Sequence, residues 1–221
     1  MRLGRKVKLP EWRIKDLYPG SGQFATEEAY GEAFLDCCRH WKIQLICLFG
    51  WLGPLPDNVR EAYSGRILRQ FCGPMDPGRR DFFSPDLVGP GVHAAVLWYQ
   101  RTLVGMNGVG VEPSTEVVTQ LIRRKGEDCP IVGASSVPIL DGGTDAKGHA
   151  IPFDNPTTLA ARAIEVEHKL QIETIRHARN GTLTPRMRPS PLIPARFHST
   201  LAEAKAIGRA LYPVERHLIP K

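Results

Sequence analysis

The chain has 221 residues, 42% of them apolar and 24% charged, with a net charge of +6. That composition is ordinary for a globular protein and excludes a low-complexity chain. Its 21 Gly and 19 Pro interrupt the periodic segments, so the expected elements are short and their connections long.

The charge is unevenly placed. Residues 1–16 carry a net +4 and residues 176–221 a net +7, which leaves the middle at −5. Basic termini of this kind reach for phosphate, anionic lipid or acidic protein surfaces. The opening MRLGRKVKLP holds no acid, yet Gly4 and Pro10 suit an amphipathic transit helix poorly, and no secretory signal is expected. Residues 1–25 are therefore expected to form a basic N-terminal arm.

A first helix is predicted from Thr26 to Phe49, with Tyr30, Phe34, Cys37, Trp41, Leu45 and Leu48 in one stripe. Its end, IQLICLFGWLG, is apolar nearly all round but much shorter than the ~20 residues that cross a bilayer, so no membrane span is predicted. After Gly50, Gly53, Pro54 and Pro56, Asp57 or Asn58 caps a second helix bearing Val59, Ala62, Tyr63, Ile67 and Phe71. Residues 74–91 are too broken by Pro and Gly for a regular element. A third helix is expected from Val92 to Val104. Ser114 caps a fourth, with Val117, Val118, Leu121 and Ile122 packed and Arg123, Arg124 and Lys125 at its negative end. Between Cys129 and Asp154 the pieces IVG and VPIL suggest one small hairpin.

The firmest element is NPTTLAARAIEVEHKLQIETIRHARNG, residues 155–181. Thr157 or Thr158 is expected to cap it, Pro156 suits its entry and Gly181 its exit. Leu159, Ala163, Val166 and Leu170 share one side; Ile164, His168, Ile172 and Ile175 lie about half a turn away. The first side is expected to face the core and the isoleucine side a partner chain. Residues 182–197 carry Pro185, Pro189, Pro191 and Pro194, which should hold them extended, with Arg186, Arg188 and Arg196 reaching outward. Thr200 and Glu203 form a capping box for a last helix through Tyr212.

The fold expected from these elements is mainly α, an irregular bundle of about five to six helices with long Pro/Gly-rich connections and extended basic termini. Its divisions would be the arm at 1–25, a helical body at 26–181, and a Pro/Arg-rich segment with C-terminal helix at 182–221.

Catalytic signals are weak. Glu165 and His168 have the Glu-x-x-His spacing of carboxylate-bridged metal bundles, but no second such pair accompanies them. Cys37, Cys38, Cys47, Cys72 and Cys129 contain no CxxC pair, which argues against a zinc site and for reduced thiols. Asp141, Asp145, His149 and Asp154 lie on a Gly-rich loop that breaks the calcium-loop order, and GMNGVGVEPS lacks the Gly-Lys-Ser/Thr ending of a phosphate loop. No G-x-S-x-G elbow exists, and Cys37 and Cys38 have His40 nearby without a third member.

No catalytic, metal or cofactor residue is predicted. The expected function is a non-catalytic structural or accessory subunit of a large assembly, a mitochondrial complex of respiratory-chain or ATP-synthase type first. A nucleic-acid-associated protein such as a ribosomal accessory subunit, or a viral or phage particle subunit, is the alternative. Ile164, His168, Ile172, Ile175, Arg186, Arg188 and Arg196 form the candidate partner interface, the partners being other protein subunits, with nucleic acid or anionic lipid at the basic termini. The expected location is intracellular.

Overall fold

A computed structural model describes residues 26–50, 55–84, 86–107, 113–142 and 153–213. Its centre is a four-stranded sheet of order β1-β2-β3-β4. β1 (Ile46–Leu48) runs parallel to β2 (Ile67–Phe71), β2 antiparallel to β3 (Ser114–Ile122), and β3 antiparallel to β4 (Ile131–Pro138). Five α-helices accompany it among the described residues: α1 (Glu27–His40), α2 (Asp57–Ala62), α3 (Pro90–Asn107), α4 (Pro156–Arg179) and α5 (His198–Leu211).

This mixed α/β architecture corrects the expectation of a mainly α bundle. The predicted first helix stops at His40, and its apolar tail supplies β1. The predicted second helix stops at Ala62; Gly65, at φ +71°, turns the chain, and Ile67–Phe71 enter the sheet as β2. The predicted fourth helix is β3. Its Val and Thr residues are stiff at χ1 and pack well on a pleated surface, and Thr115, Val117, Thr119 and Leu121 alternate along one buried face. Leu121 and Ile122 pair with Leu68 and Ile67, so side chains that imitate one helical stripe cover two faces of a strand.

The cores lie on either side of this frame. Leu35, Cys38, Ile46, Val59, Tyr63, Ile67 and Ile122 join α1 and α2 to one end of the sheet. The larger cluster joins β2, β3 and β4 to α3, α4 and α5 through Phe71, Val96, Val117, Val137, Leu170 and Leu201. On α4, Leu159 and Leu170 are buried as expected, while Ile164 and Ile172 are 47% and 60% exposed. The cap is Asn155 rather than Thr157 or Thr158: its side chain accepts from the N–H groups of both, and the Thr158 hydroxyl accepts from the Asn155 N–H.

The Pro/Arg-rich segment is extended, but it is packed on the body. The N–H of Ile131 donates to the Arg186 carbonyl at 2.9 Å and the Arg186 N–H returns a bond to Ile131 at 2.8 Å. That bridge covers part of the outer edge of β4, and Ile193 is buried beyond it. The expected N-terminal arm lies outside the described residues. No helix among the described residues is long and apolar enough to cross a membrane.

Candidate active site

β2 pairs parallel with β1 on one side and antiparallel with β3 on the other, and the candidate site is built beyond its carboxyl end. The chain leaving β2 there is the segment PMDPGRRDFF, whose Pro and Gly residues forbid regular structure. Side chains fold it instead. The Asp76 carboxylate is fully buried, accepting from Arg79 Nε at 3.0 Å and from the Leu192 N–H at 2.7 Å. The Asp81 carboxylate accepts from the Asp76 N–H at 2.6 Å and from the Phe83 N–H at 2.8 Å.

The Pro/Arg-rich strap, residues 182–197, locks the same loop from outside. Arg188 donates to the Met75 carbonyl at 2.8 Å and pairs with Glu116 on β3, while Arg79 donates to the Arg188 carbonyl at 2.6 Å. Each buried carboxylate thus receives more than one donor, the condition under which burial of charge is tolerated.

α5 closes the third side. Lys205 Nζ donates to the carbonyls of Asp81 and Phe83 at 3.2 and 2.8 Å. One turn further along, Arg209 donates to Asp86 at 3.1 Å and to Ser84 at 3.2 Å. Between loop and helix lies a cleft of about 270 Å³ lined by Arg79, Arg80, Asp81, Phe83, His198 and Lys205 together with Leu201 and Ala202.

The electrostatics of this cleft are unusual. Burial raises the Asp81 carboxyl above its ordinary value, an effect that its two backbone N–H donors and Lys205 oppose without cancelling. Burial lowers the Lys205 ammonium, with Asp81 pulling the other way. Burial thus displaces the carboxyl and the amine each toward neutrality.

The residues singled out from sequence lie elsewhere. Ile164, His168, Ile172 and Ile175 are exposed together on α4, and Glu165 is exposed beside them. Arg186, Arg188 and Arg196 do not converge: Arg186 bridges to β4 through its backbone, Arg188 is held between Met75 and Glu116, and Arg196 lies over the Phe197 ring at 4.8 Å. Asp154 is buried against Arg162 and Thr158 at the start of α4, Asp141 pairs with Arg101, and residues 143–152 of that loop lie outside the described residues, as do 108–112. Burial raises the Cys38 thiol, and it pushes Cys72 up to about 11, with Glu167 adding to the rise. Neither is thereby an activated thiolate. Sequence reasoning missed Asp81, Lys205 and His198 because nothing local marks them.

No protein-family model matches the chain, and no curated protein sequence matches it. Solved structures do. The phosphoribosylglycinamide formyltransferase of Brucella melitensis is 25% identical at a TM-score of 0.48, over 74% of this chain and 68% of that one. Glycinamide ribonucleotide transformylase 1 of Symbiobacterium toebii is 19% identical at 0.49, over 76% of this chain and 64% of that one. A formyltetrahydrofolate deformylase of Pseudomonas syringae pv. tomato is 12% identical at 0.44, over 70% of this chain and 41% of that one. The match thus spans less than two thirds of the length of the last two. At these TM-scores the likeness transfers no residue role to this chain. The expected non-catalytic structural or accessory subunit has no counterpart among these three, each of which bears the name of an enzyme.

Proposed function

We propose that the chain is an enzyme acting on a small anionic substrate in the cleft between the loop after β2 and α5. Asp81 and Lys205 move the proton, and Arg79, Arg80 and His198 hold the anion. The observation that carries this reading is the convergence of Asp81, Lys205, Arg79, Arg80 and His198 on one cleft, with Lys205 held by the Asp81 and Phe83 carbonyls; burial displaces Asp81 upward and Lys205 downward in the same place. Acid–base catalysis is most effective when both partners work near the operating pH, and burial moves a carboxyl and an amine in that direction. Lys205 spends two donors on the Asp81 and Phe83 carbonyls, which fixes its nitrogen; its third N–H is the one a substrate would meet. A space of about 270 Å³ suits a ligand at the small end of those that proteins enclose.

The reaction class that fits is group transfer between small molecules. As an attacking amine bonds to an acyl carbon, a base takes the amine proton and an acid returns one to the leaving group. Formyl transfer, the activity of the formyltransferases named above, is the first to assay. Wild-type protein, Asp81→Asn and Lys205→Met would be given formyltetrahydrofolate with and without phosphoribosylglycinamide, followed by a set of small phosphate- and carboxylate-bearing amines. The expected result is saturable turnover of at least one of these that falls about a hundredfold or more in each variant. Turnover equal in all three proteins, or none with any of these compounds, would contradict the reading.

A further inference from the structure

Arg69 is the one residue of β2 whose charge the described residues leave unanswered. It sits in the middle of the strand, opposite Gln120 of β3, and is half-buried. Its guanidinium lies over the Phe83 ring, 4.8 Å from the centroid, and that ring lines the cleft. Among the described residues it makes no hydrogen bond and no ion pair, although a guanidinium carries five donors. Gln120, its neighbour across the sheet, donates to the Cys129 carbonyl instead. Burial, and after it the like charge of Arg60, push the Arg69 ionisation down, with Cys129 opposing them. Arg60 is held by the carbonyls of Arg123 and Arg124 at 3.3 and 3.4 Å.

A sheet does not need this. Stripping water from a cation costs free energy that only a counter-charge or a full set of acceptors returns, and an aromatic face returns only part of it. An apolar residue in the same place would pack on Phe83 without that cost. A guanidinium retained there, with Arg60 as its neighbour and no carboxylate paired with it among the described residues, is one whose charge a bound anion would answer.

We propose that Arg69 binds an oxyanion, a carboxylate or phosphate group of the substrate, on the side of Phe83 that faces the sheet. The fork of a guanidinium matches two oxygens of such a group, and Arg60 adds a second positive charge. This rests on the reading of the Phe83 cleft as the substrate site. The substrate then spans the aromatic ring, its anionic group at Arg69 and its reacting end toward Asp81 and Lys205.

The test is titration of the full chain with inorganic phosphate and, separately, with acetate, in wild type, Arg69→Met, Arg69→Lys and Lys205→Met. Heat of binding and the ¹⁵Nε signal of Arg69 are the two readouts. The expected result is that phosphate, acetate or both shift the Arg69 signal, and that Arg69→Met weakens that binding about tenfold to a hundredfold. Arg69→Lys should retain part of it, because charge survives and the fork does not. Phosphate binding alone would mark a phosphorylated substrate, acetate binding alone a carboxylate. Arg69→Met should melt no lower than wild type, which a structural role would not allow. A lower melting temperature, or a stationary Arg69 signal with equal binding in wild type and Arg69→Met, overturns the proposal. Loss of binding in Lys205→Met with none in Arg69→Met overturns it while sparing the cleft; the reverse pattern sustains it and removes Lys205.

Discussion

Gly208 of α5 and Gly91 of α3 meet backbone to backbone, so that a Cβ at position 208 would stand 2.4 Å from the Gly91 carbonyl oxygen. This crossing seats α5 against α3 and thereby sets how far Lys205, three residues earlier, reaches over the loop after β2. Replacing glycine by alanine inside a helix ordinarily stabilises it by roughly 1 kcal/mol. Here the obstacle is backbone and cannot rotate away. Gly208→Ala should therefore lower stability by about 1 to 3 kcal/mol in denaturant titration, and it should also loosen Lys205 from the Asp81 carbonyl.

The histidine of α3 gives the protein a pH signature unrelated to the cleft. His93 is 2% exposed, its Nδ1 finds no partner among the described residues, and burial lowers its ionisation to about 4 from the ordinary 6.5. The unfolded chain thus takes up a proton below about pH 6.5 that the folded chain refuses until about pH 4. Folding stability should fall across that window by roughly 3 kcal/mol and stop falling from this cause below it. His93→Gln should lack that part of the slope. Equal slopes in the two proteins between pH 6.5 and 4 would show that the histidine is charged when folded.

The two sides of α4 should respond unequally to mutation. Leu170 is 4% exposed and packs against Gly133 of β4, where a Cβ would stand 3.1 Å from the leucine Cδ1. Leu170→Ala should cost about 2 to 5 kcal/mol. Ile164 and Ile172 are 47% and 60% exposed, so the double change to Ser should stay within about 1 kcal/mol of wild type in the free chain. Chemical denaturation of the two variants side by side measures the contrast.

α4 was legible in the sequence because 24 residues of regular periodicity leave no second solution. α5 and the extended strap were legible for similar reasons, helical spacing in one and proline in the other. The sheet was not. Val117, Val118, Leu121 and Ile122 fit a helical stripe as well as a strand, and short apolar runs cannot be told apart by spacing alone. Two local signs pointed the right way: the Ser64–Gly65 break before Ile67, and the β-branched density of Thr115, Val117, Val118, Thr119 and Ile122. No such sign exists for the cleft. Asp81 and Lys205 are 124 positions apart, each ordinary in its own surroundings, and only the packing of α5 on the loop after β2 makes them neighbours.

An acid–base pair at Asp81 and Lys205 requires a displacement of both ionisations in the folded chain. NMR titration of the Asp81 side-chain ¹³C carboxyl and the Lys205 ¹⁵Nζ in the full chain measures it directly. Asp81 should show a midpoint above the ordinary 3.8 and Lys205 one below the ordinary 10.5, with Lys205 moving back toward its ordinary value when the α5 contact is loosened by Gly208→Ala. Midpoints at the ordinary values in the wild-type chain would contradict this, leaving Lys205 as a tether for the loop and the cleft without an acid–base pair.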